Sequence, residues 1–387
     1  MQTGEKELSL EFSILHKDKS TFARTGVLTL PHGSVETPVF MPVGTLGAIK
    51  ALNHDIIEKI GFKLILANTY HLYLRPGMEV IDNFSGLHNF SSWNSNLLTD
   101  SGGFQIFSLS ALRKIKNDGV EFQSHIDGSR HFFTPEKVVD IQGIIGSDIA
   151  MMLDVCTPFG INKSKAEKAL DITHSWAERA IKEMQDLKEN GKKRPHNLFG
   201  IVQGNFYEDL RIKSAEFISS LDFDGIAIGG LSVGEASGDF KKFLALTCGA
   251  CVSDKPHYVM GIGTPEYIFS AVENGIDMFD CVLASRIARH GMVFSDDGLI
   301  NMTKAIHKNE KGPIDENCQC TLCTRYSKGF LNHCFRSNLS NAGSLATEHN
   351  LFYLYYLMER IRDSIRNDSF KFFKDEYLLR FYKGKVK

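Results

Sequence analysis

Eight short apolar runs, separated by helical patterns, predict an α/β protein built as a (β/α)8 barrel, the TIM-barrel architecture. Three observations carry this expectation. Each run ends in a polar residue or a glycine, as buried parallel strands do where they open into loops. The count of eight within residues 39–280 fits a closed barrel. No G-x-G-x-x-G follows the first run, which removes the main argument for an open doubly wound sheet.

The runs, in order, are residues 39–43, 64–68, 97–100, 149–154, 198–203, 225–230, 258–261 and 277–280. Between the later ones lie helical patterns. Residues 163–188 are the clearest, with Leu170, Ala177, Ile181, Met184 and Leu187 at helical spacing and Asn190-Gly191 as the stop. Residues 209–219 and 265–274 are shorter. The segment 110–133 is less regular and predicts an inserted hairpin, with residues 120–125 and 130–133 flanking Asp127-Gly128. Residues 308–316 are polar and contain Gly312-Pro313, so a linker is expected there. A long amphipathic helix follows, with Leu351, Leu354, Met358, Ile361 and Ile365 on one stripe and Arg360, Arg362 and Arg366 off it. The expected division is a barrel over residues 1–304 and, over 305–387, a metal-binding subdomain whose C-terminal helices close onto the barrel.

Composition sets the class. The chain has 387 residues, 43% hydrophobic and 23% charged, which excludes disordered, collagen-like and disulfide-scaffold proteins. The longest run without charge, residues 83–99, is rich in Ser and Asn and does not suit a membrane span. Glu5, Lys6 and Glu7 stand where a signal peptide would need an apolar region, so a cytoplasmic protein with reduced cysteines is expected.

In a barrel of this kind the chemistry sits at the C-terminal ends of the strands. Those ends bring Asn68, Asp100, Asp154, Gln203, Gly229-Gly230, Gly261 and Asp280 to one face. The run Thr99 to Gln105 places Asp100 before Ser101, Gly102 and Gly103, a turn that exposes a carboxylate and leaves backbone N–H groups free; the plainer reading is a turn-capping Asp. Phe104 either stacks on a ligand or packs. Gly229 to Glu235 is a glycine-rich loop that lets a ligand approach the main chain. Arg286 and Arg289, three apart beside this acidic mouth, suit an anionic or base-presenting ligand, though alone they read as surface arginines.

Cys318, Cys320 and Cys323 lie within six residues and suit a tetrahedral thiolate site, with Cys334, His333 and His349 as candidates for the fourth ligand. The cluster lies outside the barrel strands, which favours a structural zinc over a catalytic one. Cys248 and Cys251, in an apolar helical stretch, read as ordinary core thiols.

With these motifs in order, the chain resembles the bacterial tRNA-guanine transglycosylases, also called queuine tRNA-ribosyltransferases. The resemblance covers nearly the whole length. It rests on Asn68 to Leu72 with Arg75-Pro76-Gly77, Thr99 to Gln105, Asp154 to Pro158, Gly200 to Gly204, Gly229 to Glu235, Met260 to Pro265, Asp277 to Arg289, and the Cys318/Cys320/Cys323/His349 set. It implies exchange of the wobble guanine in tRNAs with a G-U-N anticodon for a 7-deazaguanine. By motif, Asp280 would be the nucleophile and Asp100 the general acid/base. Asp154, Gln203, Gly230 and Leu231 would read the base, with Ser101 and Gly229 beside them, and Phe104 and Met260 would sandwich it. Arg286 and Arg289 would contact the anticodon loop. One structural zinc per subunit, held by Cys318, Cys320, Cys323 and His349, and a homodimer are also implied. Ala284-Ser285 and His290 depart from the family's usual Pro-Thr and Asn. Cys156 and Val233 resemble the bacterial form of the pocket, which goes with the aminomethyl precursor base.

The chemistry asks for such residues. Cleavage of a ribosyl–base bond passes through an oxocarbenium-like state, so one carboxylate attacks the sugar while a second group protonates the leaving base. Charge adds a further expectation. The net of −2 hides a split, because residues 304–387 hold 15 Lys and Arg against 9 Asp and Glu. Arg360, Arg362, Arg366, Lys371, Lys374, Arg380, Lys383 and Lys385 are therefore expected to offer charge to RNA phosphates.

Overall fold

A computed structural model describes residues 10–109 and 112–383. Glu5, Lys6, Glu7, Ser110 and Lys385, used above, lie outside them.

The eight expected strands are present and parallel. We number them β1 (Val39–Met41), β2 (Leu64–Ala67), β3 (Asn96–Thr99), β4 (Ile149–Met151), β5 (Asn197–Val202), β6 (Gly225–Ile228), β7 (His257–Val259) and β8 (Met278–Asp280). Each pairs with its neighbour in sequence, and β8 pairs with β1. A bridge between Val43 and Leu66 joins β1 to β2 and completes the ring. Pro42 has no N–H, so β1 stops short of its predicted end; its carbonyl still accepts from the Leu66 amide at 3.0 Å. The other strands also end one to three residues early or on the predicted residue. The polar residues at their tips leave the ladder to face the mouth.

Apolar side chains explain the closure. The strands are buried on both faces, so they read as continuous apolar runs. Helix Lys163–Glu189 starts at Asn162, whose side chain caps Lys165 N, and buries Ala166, Leu170, Ala177 and Leu187. Helices Glu208–Ser220, Ser237–Ala250 and Pro265–Glu273 follow β5, β6 and β7. After β8 the chain makes the hairpin Met292–Ser295/Gly298–Asn301 and several short helices, then helix Asn341–Arg366. That helix packs on β1 and on helix His54–Ile60, and puts Leu354, Leu357, Met358 and Ile361 into the same core as Ile57 and Phe62. Phe62 and Tyr355 meet edge to face at 5.2 Å.

The insertion after β3 is larger than predicted. It is a three-stranded antiparallel sheet, Arg113–Lys116, Gly119–Gln123 and Arg130–Phe133. An N-terminal antiparallel sheet, Glu11–Lys17, Arg24–Leu30 and Gly33–Thr37, was not anticipated. Its first strand alternates exposed and half-buried residues and offers no apolar run to detect.

The pole of the barrel opposite the mouth is tied by polar contacts to the buried Asp148. Asp148 accepts from Leu97 N at 2.7 Å and from His32 Nδ1 at 2.7 Å, with His88 Nε2 3.3 Å away. His32 and His88 stack 4.0 Å apart. Two nearly parallel rings cannot both aim an in-plane lone pair at one ion, so this triad acts as a hydrogen-bonded clamp.

Candidate active site

Three carboxylates stand at the C-terminal mouth, each placed by a strand end. Asp280 closes β8. Its Oδ1 accepts from the Tyr258 hydroxyl at 2.5 Å and from Gly261 N at 2.8 Å. Both donors come from β7 and its loop, so they fix one oxygen and leave Oδ2 available. Loss of water raises the Asp280 pKa, and the Tyr258 hydrogen bond opposes that.

Asp100 follows β3 and is 7% exposed. Its carboxylate accepts from Asn68 Nδ2, from Thr69 N at 3.0 Å and from Gly102 N at 3.2 Å. Thr69 also donates through Oγ1 to the Asp100 carbonyl at 2.5 Å. Gly102 takes φ +79°, and a Cβ there would lie 3.2 Å from the Tyr70 Cβ, so the turn needs glycine. Burial pushes the Asp100 pKa up to about 7, against the three donors and with help from the Asp280 charge. This carboxyl can therefore carry a proton near neutrality.

Asp154 lies three residues beyond β4. Its Oδ2 accepts from Gln203 Nε2 at 2.7 Å, and Oδ1 from Ser101 Oγ at 3.4 Å. Burial pushes its pKa up to about 6. Gln203 is held through its backbone N by Ser214 Oγ at 3.1 Å, and its Oε1 is buried with no hydrogen-bond partner among the described residues. An acceptor on Asp154 beside an unfilled amide oxygen is what a planar ligand with polar edges would meet. Gly229 and Gly230 follow β6. A Cβ on Gly230 would come 2.4 Å from Gln203 Oε1, and Gly230 has φ +67°. Leu231 is buried beyond them, and Glu235 accepts from Ser232 N at 2.5 Å and Val233 N at 2.8 Å.

Phe104 is 51% exposed on helix Gly103–Leu109, and Met260, half-buried, follows β7. Cys156 lines a small cleft with Gly103, Phe107, Arg113 and Asp154, and burial pushes its thiol up to about 12, so it stays neutral. Arg286 is exposed on helix Leu283–Ala288, whereas Arg289 folds back to donate to Ser285 O at 3.0 Å. Ala284 is buried, and its carbonyl accepts from Asn350 Nδ2 at 3.0 Å.

The metal candidates resolve onto one set. Cys318, Cys320, Cys323 and His349 are all buried, and their ligand atoms lie within 4.8 Å of one another. His349 Nδ1 is 3.6, 3.4 and 3.4 Å from the three sulfurs. Tetrahedral bonds of about 2.3 Å to sulfur and 2.0–2.1 Å to nitrogen would give an S···N separation of about 3.6 Å. His349 Nε2 donates to Phe294 O at 2.8 Å, which leaves Nδ1 to face the thiols. This cluster could hold a metal ion. Cys334 is buried but outside it, and His333 lies on another helix with Ser337. Cys248 and Cys251 are free, and burial pushes Cys251 up to about 12, in keeping with inert core thiols.

The expected C-terminal phosphate surface is corrected. Arg362 is buried and donates to Pro38 O at 2.9 Å, just before β1. Arg366 pairs with Glu36 at 2.9 Å, and Lys374 with Glu273 at 2.6 Å. These acids belong to the pole opposite the mouth. Arg360 pairs with Asp296 at 3.1 Å and Arg380 with Asp297 at 2.7 Å. The excess charge largely fastens the last two helices to the barrel. Lys371 and Lys383 remain exposed.

Several contacts and one residue of the site were not read from sequence. Asn68 and Thr69 as clamps of Asp100, and Tyr258 as the partner of Asp280, depend on neighbouring strands. Arg211 is wholly buried and holds the loops after β5 and β6. A signal existed for it: an arginine beside Leu210, Ser214, Ala215 and Ile218, all on the buried side of its helix.

Comparison with known proteins points the same way. A family model described as queuine tRNA-ribosyltransferase matches residues 18–383. A protein of that name from Borrelia hermsii is 52% identical over 373 residues, covering 96% of this chain and 99% of that protein. The one from Treponema denticola is 49% identical over 380 residues, 97% and 98% of the two chains. The one from Caldanaerobacter subterraneus is 48% identical over 374 residues, again 97% and 98%.

Proposed function

The chain belongs to the queuine tRNA-ribosyltransferase family, enzymes of tRNA-guanine modification in queuosine synthesis, and from that premise we propose how its own residues do the work. We infer that it exchanges the wobble guanine of G-U-N anticodons for 7-aminomethyl-7-deazaguanine through a covalent enzyme–ribose intermediate. The observation that carries this reading is the pair Asp280 and Asp100, on strands from opposite parts of the ring, with different hydrogen-bond partners. Asp280, ionised, attacks C1′ through the oxygen that Tyr258 and Gly261 leave free. The C1′–N9 bond breaks, and its electron pair goes to the guanine, which takes a proton from Asp100. The incoming base returns that proton to Asp100 and displaces Asp280 from C1′. Atoms and charge balance with no water consumed, as in a retaining glycosidase whose acceptor is a base.

Base reading falls to the groups in between. Asp154 accepts from the amino and imino edge, while the carbonyl accepts from the Gly230 N–H and from the Gln203 Nε2–H that Asp154 leaves free. Phe104 and Met260 lie on the two faces of a base flipped out of the anticodon stack. Cys318, Cys320, Cys323 and His349 would hold a structural Zn2+, one per subunit, which supplies a cross-link between the loop and the long helix. A homodimer in the cytoplasm completes the proposal; among the described residues no helix is long and apolar enough to cross a membrane. The division into a barrel over residues 1–304 and a zinc-binding subdomain with helices over 305–387 is part of it.

The direct test offers the purified protein guanine, queuine and 7-aminomethyl-7-deazaguanine with a stem-loop bearing a G-U-N anticodon. Incorporation of the aminomethyl base with release of one guanine is expected. Incorporation of none of the three sinks the reading.

RNA affinity should fall with salt, because the partner is a polyanion. Arg286→Ala is expected to weaken binding and lower the log–log salt slope by about one. The double change Lys371→Ala, Lys383→Ala is expected to leave the slope unchanged. Filter binding across salt concentrations checks both, and a slope flattened only by the second pair refutes the placement of RNA at the mouth.

A further inference from the structure

Arg211 sits on helix Glu208–Ser220, behind the loops that follow β5 and β6, and is 0% exposed. Its guanidinium meets only carbonyls. Nε donates to Asn205 O at 2.8 Å, Nη1 to Gly229 O at 2.8 Å and Val202 O at 3.4 Å, and Nη2 to Gly230 O at 3.2 Å. Among the described residues no carboxylate pairs with it. Burial pushes its pKa down only to about 10, so it remains a cation. A buried charge without a paired carboxylate is costly, even with the Glu235 charge in electrostatic reach, and pinning two loops does not by itself require one.

Peptide geometry shows where the charge acts. In a trans peptide, C=O and N–H point in opposite directions. The Gly229 and Gly230 carbonyls both turn outward to Arg211, so the N–H groups of Gly230 and Leu231 turn inward, to the side of Gln203. The left-handed φ of +67° at Gly230 brings two successive N–H groups to one side, the arrangement of an anion-binding nest. The next two N–H groups, of Ser232 and Val233, are taken by Glu235. Those of Gly230 and Leu231 donate to no acceptor among the described residues.

We propose that Arg211 is a positioning residue for base recognition: its guanidinium polarises the Gly229–Gly230 and Gly230–Leu231 peptides, making their N–H groups a strengthened donor pair for the 6-carbonyl of a bound purine. This rests on the reading of the pocket given above. Hydrogen bonds in series polarise one another, and a charged donor at the outer end strengthens the inner one. The effect grows as the base leaves, because the electron pair gained at N9 delocalises onto that carbonyl oxygen.

The test compares affinities for guanine and 6-thioguanine in the zinc-loaded full-length protein. The two bases share their donor edge and differ at the acceptor, since sulfur accepts weakly. The wild type is expected to prefer guanine by about tenfold or more, the scale of one charge-assisted hydrogen bond. Arg211→Gln should cut that ratio at least about fivefold, and Arg211→Lys should fall between, because an ammonium keeps the charge but cannot span both loops. The ratio is taken within one sample, so a partly folded variant still reports it. A ratio unchanged within twofold in Arg211→Gln, or cut further by Arg211→Lys than by Arg211→Gln, overturns the proposal. If neither variant folds, the wild-type ratio decides, and a value below tenfold overturns it. Absence of any guanine binding by the wild type is a separate result, one that overturns the pocket reading itself.

Discussion

Asp280→Asn is expected to abolish base exchange, with a loss of at least ~10⁴-fold, because among the described residues no other group at the mouth offers a free carboxylate oxygen to the sugar. The substitution is nearly isosteric. The Asn Oδ1 can still accept from Tyr258 and Gly261, so the buried phenol keeps a partner and the fold should hold. The readout is twofold. Wild type incubated with a stem-loop RNA and a slowly reacting base should give a denaturant-resistant protein–RNA adduct, and the variant none. Radiolabelled guanine should enter the RNA with wild type and not with the variant. Exchange by the variant within tenfold of wild type would remove Asp280 from the nucleophile role.

The same experiment carries a pH signature. The raised pKa of Asp100, about 7, means that its proton is present below that pH and lost above it. Adduct formation needs that proton for the departing guanine, so its single-turnover rate should fall as pH rises through about 7. Asp280 must be ionised, and its own raised pKa sets the fall on the acid side. The rise and fall belong to the coupled pair as much as to either residue.

Much of this candidate site is legible in the sequence, and the reason is periodic. Each barrel strand is an apolar run with a polar tip, so Asp100, Asp154, Gln203 and Asp280 stand out where apolar sequence stops. What sets their chemistry could not be read. Asn68 and Thr69 lie about thirty residues from Asp100, and Tyr258 lies 22 from Asp280. Each pair meets only because neighbouring strands are in register. The basic C-terminal part shows the opposite failure. Its charges are plain in the sequence, but their partners are remote: Arg366 reaches Glu36, 330 residues away, and Lys374 reaches Glu273. A charge count assigns such residues to a ligand, whereas the fold uses them to fasten helices. The N-terminal sheet escaped because its first strand is alternately exposed and half-buried, and its buried middle strand, Arg24–Leu30, is broken by Thr and Gly.

Removing the proposed zinc should unfold the region around residues 292–336 before it disturbs the barrel. Four buried ligand atoms converge where Ile314, Leu322, Leu331, Ala346 and Val293 pack. Without an ion, three thiols and an imidazole are left buried, with only weak sulfur–nitrogen contacts of 3.4–3.6 Å between them. Structural zinc contributes on the order of 10 kcal/mol in small domains, more than the net stability of many folds. His349 makes the effect local at first and then wider. It lies on the helix that also supplies Leu354, Met358 and Ile361 to the barrel core, and its neighbour Asn350 holds the carbonyls of Ala284 and Met292. The helix that bears Arg286 and is capped by Arg289 therefore loses its support when the cluster opens. Chelation, or His349→Ala, should raise hydrogen exchange in residues 292–336 while the amides of β3 to β6 stay protected. It should also weaken RNA binding before guanine binding is lost. A catalytic zinc predicts another order: turnover stops, exchange in 292–336 stays unchanged, and RNA still binds. That second pattern would overturn the structural assignment, because an ion that can leave without loosening Asn350 is not what holds the two arginines at the mouth.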